Sequence, residues 1–502
     1  MRRAGLSETH CSVVVFAGDR AYKLKKPVKF AFLDFSTRAA REVACRREVE
    51  LNRRIAPDVY LGVADVVGPE GTVCDHLVVM RRMPEERRLA TLVERGTPVT
   101  EDLRRIARTV AAFHARAETS PEIAAAATRD AVLANWEQSF REMRPFYGSL
   151  LDHEAAMRVE VLVRRYLAGR QRLFDERIAH GFVRDGHGDL KSEDIFCLDD
   201  YPRILDCLEF DDRLRHGDVL ADVAFLAMDL ERLGLPKEAE RFLGWYEEFS
   251  GTHAPTSLRH HYIAYRAHIR AKVACLRRAQ GAEGGEDPAQ LLELTRRHLE
   301  KSLVALVLVG GLPGTGKSTL AAAVGQAKGW AVLRSDEIRK QQGRLGASDP
   351  ALAPWESGLY TPARTRATYE ELLRRACIAL ERGESVILDA SWHDPQWRLA
   401  AARVAAETYS DLVALHCQAP SAIASARLAA RKQGGDASDA SPETHARMAP
   451  LFAAWPRATT IDTTVEPTAS VASALEAITF DAVVSALLPS EEPYPAPVTA
   501  AS

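Results

Sequence analysis

The sequence predicts a multidomain protein in which an α+β domain is followed by an α/β domain built on a parallel sheet. A chain of 502 residues is too long for one ordinary hydrophobic core. A Gly-rich, acidic stretch without periodicity, QGAEGGEDPAQ at 280–290, is the clearest linker. Beyond it, short apolar runs alternate with helical stretches, as in parallel α/β sheets. We therefore expect domains at 1–279 and 301–485, a linker or connecting helix at 280–300, and a disordered tail at 486–502.

The composition is that of an ordinary soluble globular protein, with 46% hydrophobic residues, 27% charged residues and a formal net charge of −3. Arginines are interleaved with acidic residues, as in REVACRREVELNRR, which favours solvated helix faces over a nucleic-acid-binding stripe. The eight cysteines are scattered singly, which indicates neither a zinc site nor a disulfide framework. Because no apolar run is long enough to span a membrane and the start lacks an apolar signal core, we expect a cytoplasmic protein without membrane contact.

The first domain begins with strands and continues with helices. Residues 12–35 hold two β-rich runs around a turn, and strand-like runs follow at 59–67 and 73–81. Between them, TRAAREVACRREVELNRRIA indicates a long charged helix. Apolar residues at three- and four-residue spacing predict helices from about 100 to 180, and a short strand–loop–strand region then precedes further helices.

The second domain begins with LVALVLVGG at 303–311, a continuous apolar run typical of a central parallel strand that is buried on both faces. Further short strands are predicted in WAVLRS (330–335), SVILDAS (385–391), DLVALHC (411–417) and ATTIDTT (458–464). The stretches between these strands are helical in pattern, so the sheet is expected to be parallel.

A phosphate-binding loop is predicted at the end of the first strand of this domain, where GLPGTGKST at 311–319 matches G-x-x-x-x-G-K-[ST] in full. Glycines let the backbone N–H groups approach phosphates closely, while Lys317 would reach the β- and γ-phosphate oxygens and Ser318 would ligate Mg²⁺. The nucleotide-binding residues expected here are Gly311, Gly314, Thr315, Gly316, Lys317, Ser318 and Thr319.

Two aspartates suggest how the bound nucleotide is used. Asp389 ends a predicted strand, the position at which P-loop proteins carry an aspartate that completes the Mg²⁺ shell. The residue that follows it is Ala390. Motor ATPases usually carry a second acid there to activate water, so its absence favours transfer to a bound hydroxyl. Asp336 follows the second strand and could accept the hydroxyl proton, although capping of a helix by Ser335 or Asp336 is an alternative.

A pair of arginines precedes a flexible Gly- and Asp-rich stretch at 432–440. Arg427 and Arg431 are four residues apart and therefore lie on one face of a helix. Such a pair can close over the γ-phosphate as charge develops during transfer, and solvated surface arginines are the alternative.

A second constellation lies in the first domain, in HGDLKSEDIF at 187–196. Asp189 has the position of a catalytic-loop aspartate that orients and deprotonates an acceptor hydroxyl. Asp206 ends a later strand, where a second aspartate would hold Mg²⁺, and Asp218 and Asp222 have the pattern of acids that brace the loop. We interpret His187 as a loop-bracing residue and not as a metal ligand.

The second domain resembles the P-loop kinases of the zeta-toxin, polynucleotide-kinase and gluconate-kinase group. The resemblance covers roughly 300–485 and rests on GLPGTGKST, SDEIRK, VILDAS and the stretch from RLAAR to SDA. It implies a parallel-sheet P-loop NTPase kinase fold that uses ATP and Mg²⁺. It does not imply a substrate, because this group phosphorylates sugars, nucleic-acid 5′ ends and other hydroxyls.

The first domain resembles the aminoglycoside-phosphotransferase and choline-kinase-like fold, a two-lobed relative of the protein kinases, over roughly 10–278. The resemblance implies that Lys23 binds the α- and β-phosphates and pairs with Glu48, and Lys25 on the same strand face is an alternative to Lys23. The metal-binding Asn of the family is Asp194 here, a residue that can still hold Mg²⁺. No multi-glycine loop covers the phosphates; only Gly18 lies in the hairpin before Lys23.

The order of the two domains resembles that of bacterial proteins that fuse an aminoglycoside-phosphotransferase-like domain to a P-loop ATP-binding domain. It implies a bifunctional, ATP- and Mg²⁺-dependent phosphotransferase acting on a small hydroxyl-bearing acceptor. One alternative is a nucleotide-dependent regulatory or ligand-sensing protein whose first domain is catalytically weak. Another is a nucleic-acid 5′-end kinase, although the balanced charge makes a nucleic-acid partner unexpected. The sequence leaves the acceptors and the oligomeric state open.

Overall fold

The computed structural model describes residues 5–8, 11–30, 33–281, 284–346, 358–431 and 440–478. The strands are β1 Gly5–Glu8, β2 Ser12–Ala17, β3 Arg20–Lys25, β4 Lys29–Phe30, β5 Leu33–Asp34, β6 Tyr60–Val67, β7 Val73–Arg81, β8 Val183–Asp185, β9 Ile195–Cys197, β10 Pro202–Ile204, β11 His216–Asp218, β12 Ala305–Gly310, β13 Ala331–Arg334, β14 Val386–Asp389, β15 Asp411–Gln418 and β16 Thr459–Asp462. The predicted tail at 486–502 lies outside the described residues.

The α-helices lie between these strands and after the last of them. They are α1 Arg38–Asn52, α2 Leu89–Glu94, α3 Thr100–Arg116, α4 Pro121–Ala125, α5 Arg129–Met143, α6 His153–Ala168, α7 Gln171–Ala179, α8 Val219–Arg232, α9 Pro236–Ser250, α10 Thr256–Ala279, α11 Pro288–Lys301, α12 Lys317–Lys328, α13 Ser335–Gln342, α14 Pro362–Glu381, α15 Pro395–Glu407, α16 Ser421–Arg431, α17 Pro442–Met448 and α18 Pro467–Ala477. None of the helices in the described ranges has both the length and the apolar character needed to span a bilayer.

The chain divides into two compact units, each assembled from several segments. Unit 1 comprises Met1–Pro145, Phe174–Ala254 and His261–Thr295, and unit 2 comprises Phe146–Leu173, Pro255–His260 and Arg296–Ser502. The predicted fold class is confirmed, because unit 1 carries an antiparallel sheet with helices and unit 2 carries a parallel α/β sheet. The domain boundaries drawn from the sequence remain a prediction.

Unit 1 contains a five-stranded antiparallel sheet in the order β1-β2-β3-β7-β6. Its register places Lys23 of β3 opposite Val14 and Val78. Helix α1 begins where the side chain of Thr37 accepts a hydrogen bond from the Ala40 amide at 3.2 Å, and it packs against β6 and β7. The strands and the long helix predicted for this part of the chain are therefore confirmed.

Two short antiparallel pairs, β8 with β11 and β9 with β10, flank the loop that carries the HGD sequence at 187–189. Helix α8 follows β11 and is buried along almost its whole length, from Val219 to Leu230. A helix that is apolar on every side must be enclosed by other elements, which gives the loop a rigid support.

Unit 2 is built on a parallel sheet in the order β13-β14-β12-β15-β16. All six residues of the central strand β12 are buried, as its continuous apolar run predicts. Val307, Val309, Ile387 and Leu415 from the central strands pack with Leu320 of α12 into one core. All five predicted strands of this domain are confirmed.

A segment that precedes the linker in sequence is part of unit 2. The guanidinium of Arg165 in α6 lies 2.6 Å from the carboxylate of Asp411, at the start of β15. Arg170, which is almost fully buried, donates to the Thr408 carbonyl at 2.8 Å. A Cβ on Gly169 would lie 2.1 Å from that carbonyl oxygen, so only glycine permits this approach.

Two histidines of α10 are buried beside Trp136 in the core of unit 1. The indole N–H of Trp136 donates to Nε2 of His261 at 3.2 Å. His268 packs on the rings of Trp136 and Phe140, and neither of its ring nitrogens has a hydrogen-bond partner within the described residues. Burial lowers the pKa of His268 to about 3.

The stability of unit 1 is therefore expected to fall in mild acid. The unfolded chain binds a proton at His268 below about pH 6.5, while the folded chain excludes it down to about pH 3. Lowering the pH from 7.5 to 5.5 should cost about 1 kcal/mol of unfolding free energy at this residue. Urea denaturation at both pH values, with His268→Phe as the comparison, tests this. An equal pH dependence in the wild type and the variant would contradict it.

Candidate functional site

The loop that carries Asp189 is held by backbone hydrogen bonds to one buried carboxylate. The amides of His187 and Gly188 donate to Asp222 at 2.6 and 2.9 Å. The same carboxylate lies 3.1 Å from Nε2 of His114. Asp222, in the first turn of α8, thus fixes the loop to the buried helix.

Gly188 is required by the shape of this loop. Its φ is +86°, and a Cβ there would come within 3.2 Å of the Leu214 carbonyl oxygen and Leu208. His187 is buried beside it, with Nε2 3.0 Å from the carbonyl oxygen of Leu205. Asp189 is therefore presented by a loop with little freedom.

Lys23 and Lys25 both contact Glu48, so the structure brings together both lysines that the sequence left open. The Lys23 ammonium lies 2.9 Å from Oε1 of Glu48 and 2.5 Å from Oδ1 of Asp206. The Lys25 ammonium lies 2.5 Å from Oε2 of Glu48 and also contacts Glu209. Five charged side chains from β3, α1 and the segment after β10 form one network.

The charges in this network are set by their neighbours. Burial alone would lower the pKa of Lys23, but the charges of Asp206 and Glu48 outweigh it and raise the pKa well above its usual range. Burial likewise opposes ionisation of Asp206, and the Lys23 charge and hydrogen bond still hold its pKa below the usual range. Both groups are therefore charged at neutral pH.

Lys191 lies between two further carboxylates of the loop. Its ammonium is 2.8 Å from Oδ2 of Asp189 and 3.3 Å from Oδ2 of Asp194. Burial raises the pKa of Asp194 to about 7, although the charge of Lys191 acts in the opposite direction. Among the described residues, no three His, Cys, Asp or Glu side chains are grouped to hold a metal ion. Lysine ammonium groups compensate Asp189, Asp194 and Asp206 instead.

Asp206 has a strained backbone that the sequence does not indicate. Its φ is +65°, which is uncommon for any residue other than glycine. Its amide donates to the hydroxyl of Tyr60 at 3.0 Å, and the Leu205 amide donates to the Asp194 carbonyl at 2.9 Å. Tyr60 is thus a positioning residue for Asp206 that sequence reasoning missed, because the two lie 146 positions apart.

The phosphate-binding loop of unit 2 connects β12 to α12 as predicted. Gly314 has a φ of +83°, and a Cβ there would lie 2.5 Å from the Ala424 carbonyl oxygen. The ammonium of Lys317 donates to the Leu312 carbonyl at 3.1 Å, inside the loop. The loop therefore surrounds a cradle whose Lys317 and helix N-terminus favour anions.

The acidic residues expected near this loop lie at the carboxyl ends of β13 and β14. Asp389 is buried and accepts a hydrogen bond from Ser318. Burial raises the pKa of Asp389, while the charge of Lys317 acts against it. Hydroxyl and carboxylate oxygens are ligands that Mg²⁺ prefers, so the Ser318–Asp389 pair fits this ion. Arg334 lies 3.3 Å from the Asp389 carboxylate and is a contact that the sequence did not suggest.

Asp336 lies in the first turn of α13 and does not cap it. Within the described residues no side chain makes a capping hydrogen bond to this helix, whose N-cap residue is Arg334. The carboxylate of Asp336 is 3.5 Å from the guanidinium of Arg339. The negative charge of Asp336 also raises the pKa of Asp389.

Arg427 reaches the segment after β16, while the side chain of Arg431 lies outside the described residues. The Arg427 guanidinium donates to the Thr463 carbonyl at 2.7 Å, and Thr463 in turn donates to the Thr315 carbonyl at 2.6 Å. The buried ring of His445 lies 2.7 Å from the Pro313 carbonyl oxygen. Thr463 and His445 therefore contact the loop from elements that are distant in sequence, and no local sequence motif predicts these contacts.

Comparisons with known proteins match most of the chain and, separately, its second part. Uncharacterized proteins of Mycobacterium tuberculosis and Mycobacterium bovis are each 44% identical over 457 residues, which is 91% of this chain and 91% of theirs. A family model described as an AAA domain matches residues 306–454. That range contains the phosphate-binding loop, Asp336 and Asp389.

Solved structures are similar at low identity. A choline/ethanolamine kinase family protein from Mesorhizobium loti is 12% identical and covers 60% of this chain and 87% of its own, with a TM-score of 0.37. A gluconokinase from Sinorhizobium meliloti is 15% identical and covers 35% of this chain and 90% of its own, with a TM-score of 0.26. The fold of this chain is defined by its own sheet order and loop geometry.

Gly314→Ala should abolish the anion cradle while a matched control leaves it intact. The new Cβ meets a backbone carbonyl, so the loop must shift, and we expect ATP affinity to fall at least about ten-fold. Gly329→Ala is the control, because Gly329 also has a positive φ, of +67°, but a Cβ there would have no atom within 4 Å. It should lose about 1–2 kcal/mol of stability and keep its ATP affinity. Calorimetric titration with ATP separates the two; equal affinities would contradict the assignment.

Tyr60→Phe should destabilise unit 1 by about 1–3 kcal/mol, because the Asp206 amide loses its partner in a partly buried setting. Tyr22→Phe is the control, since the Tyr22 hydroxyl makes no hydrogen bond within the described part of the chain. Urea midpoints of the two variants measure the difference. Indistinguishable midpoints would show that Tyr60 does not hold Asp206.

Proposed function

We propose that this chain, which belongs to the same family as the mycobacterial proteins that match it over 91% of their length, is an ATP- and Mg²⁺-dependent phosphotransferase. Its acceptor is a small molecule that carries a hydroxyl group. The proposal is supported most directly by unit 2, where Lys317, Ser318, Asp389 and Asp336 lie around one phosphate-binding loop. Phosphoryl transfer depends mainly on positioning and charge stabilisation, which is what such a loop provides.

In unit 2 each residue has a distinct role. Backbone amides of 311–319 and the ammonium of Lys317 bind the phosphates, and Ser318 with Asp389 would hold Mg²⁺, which supplies charge stabilisation when bound. Asp336 orients the acceptor hydroxyl and takes its proton. Arg427, tied to the loop through Thr463, stabilises charge on the transferred group.

In unit 1 the same reaction is assigned to a different set of side chains. Lys23, held by Glu48, binds the α- and β-phosphates, while Lys25 is committed to Glu48 and Glu209 deeper in the network. Asp189 orients the acceptor hydroxyl and takes its proton. Asp194 and Asp206 would hold the metal ion, for which carboxylate oxygens are suitable ligands.

A ligand-sensing role of unit 1 is the second candidate. It is favoured by Lys191, whose ammonium contacts both Asp189 and Asp194 and thereby competes with a metal ion and a substrate hydroxyl. In that case unit 1 binds a ligand without phosphorylating it, and unit 2 performs the chemistry. A nucleic-acid 5′-end kinase is less favoured, because the balanced charge of the chain provides no obvious basic groove.

Two substitutions should silence unit 2 without unfolding it. Asp336→Asn removes the base and should lower acceptor phosphorylation by about 10²- to 10⁴-fold with ATP affinity retained. Lys317→Ala removes the phosphate-binding ammonium and should lower the rate by at least about 10²-fold. ADP release is followed with sugars, aminoglycosides, nucleosides and 5′-hydroxyl oligonucleotides as acceptors. Full activity of both variants would exclude unit 2 as the kinase.

Asp189→Asn, measured on the same acceptors, distinguishes the two candidates for unit 1. If Asp189→Asn and Lys317→Ala each abolish transfer, but to different acceptors, the chain carries two independent kinases. A sensor instead predicts that Asp189→Asn leaves the phosphorylation of every acceptor unchanged.

A further inference from the structure

A cavity of about 360 Å³ lies beside the catalytic loop of unit 1. Its charged lining consists of four cationic side chains and two anionic ones: Lys191, Arg232, Arg270, Arg277, Glu193 and Glu286. Lys191 also touches Asp189, so the cavity adjoins the carboxylate to which the acceptor hydroxyl is assigned. Substrate pockets commonly lie in this position, next to the reacting group.

The arginines in the wall of the cavity are held in place by ion pairs and hydrogen bonds. Glu286 accepts a hydrogen bond from Arg270 at 2.8 Å. Its other carboxylate oxygen forms ion pairs with Arg270 at 2.7 Å and with Arg232 at 3.1 Å. Arg232 donates also to Asp229, and Asp229 accepts from the amide and the hydroxyl of Ser192 at 2.9 and 2.5 Å. The arginines are thereby fixed to the catalytic loop itself, three residues after Asp189.

The wall has an excess of positive charge. Across the whole lining, four cationic and two anionic side chains give two more positive charges than negative ones, with Glu286 shared between two arginines. Asp229, which does not line the cavity, offsets part of the charge of Arg232. The carboxylates that offset Lys191 are Asp189 and Asp194, which under the proposed function serve the acceptor hydroxyl and the metal ion. The arginines of the wall could therefore donate bidentate hydrogen bonds to the phosphate or carboxylate of an anionic ligand.

We propose that the acceptor of unit 1 carries an anionic group, a phosphate or a carboxylate, and that this cavity binds it. The inference rests on the proposed function of unit 1. The acceptor hydroxyl oxygen forms a bond to the γ-phosphorus as the bond from that phosphorus to the ADP oxygen breaks, and the hydroxyl proton passes to Asp189. The arginines hold the remote anionic group and thus fix the distance of the hydroxyl from Asp189. Polycationic acceptors are disfavoured by the same wall.

Two residues of α10 give a matched pair of variants. Val273 lines the cavity and is 38% exposed, while Leu276 on the same helix is 39% exposed and does not line it. Val273→Glu adds a negative charge inside the cavity, and Leu276→Glu adds the same charge outside it. Any general effect of the new carboxylate on folding or on the helix should be similar in both variants.

The test measures the part of the ATP consumption that Asp189→Asn abolishes, with glucose 6-phosphate, glycerol 3-phosphate, gluconate, glucose and kanamycin as acceptors. We expect kcat/KM to be at least about ten-fold higher for an anionic acceptor than for glucose or kanamycin. Val273→Glu should raise KM for the anionic acceptor about ten-fold with little change in kcat, and Leu276→Glu should change neither. Preference for glucose or kanamycin, or equal effects of the two variants, overturns the inference.

Failure of the proposed function is recognised separately. If no acceptor gives consumption that depends on Asp189, unit 1 is not a kinase for these compounds. Binding of the same three anionic compounds is then measured by calorimetry on the full chain. Binding that Val273→Glu weakens and Leu276→Glu preserves supports an anion-binding cavity in a sensor. No binding, or binding unaffected by Val273→Glu, overturns the inference.

Discussion

The site in unit 1 depends on one buried carboxylate, that of Glu48. Its side chain has no exposed surface, and a buried charge is costly unless opposite charges compensate it. Lys23 and Lys25 supply that compensation, and their further contacts extend the network to Asp206 and Glu209. Loss of one partner from such a pair typically costs about 3–5 kcal/mol. The same charges that stabilise the fold therefore determine where Lys23, the proposed phosphate-binding lysine, and the metal candidate Asp206 lie.

The two proposed nucleotide sites would bind phosphates by different physical means. Unit 2 uses backbone amides and a helix N-terminus, so its requirements fall on glycine conformations such as that of Gly314. Unit 1 would use side-chain ammonium groups on a strand, which a helix carboxylate holds in place, and only Gly18 lies in its hairpin. A backbone cradle is encoded in nine consecutive residues, whereas a side-chain network is assembled from distant segments. This difference explains why the sequence defines one site more sharply than the other.

Local patterns predicted most of the fold. Contacts between residues that are distant in sequence could not be predicted, because no local pattern indicates them. Apolar runs and turn residues predicted the strands of both sheets except β1, and the spacing of 311–319 predicted the loop that follows β12. The sequence left Lys23 and Lys25 as alternatives, and both prove to contact Glu48 because they point to the same face of β3. Composition predicted a linker at 280–290, yet Glu286 within it is fixed by two arginines. Tyr60 carries no pattern that links it to Asp206.

Binding stoichiometry tests the proposal that one chain carries two separate nucleotide sites. Calorimetric titration of the full chain with a non-hydrolysable ATP analogue and Mg²⁺ should give two nucleotides per chain. Lys317→Ala should reduce that number to one, Lys23→Ala should remove the other site, and the double variant should bind none. A single site in the wild type that Lys23→Ala leaves unchanged would show that unit 1 binds no nucleotide and that the bound nucleotide lies in unit 2.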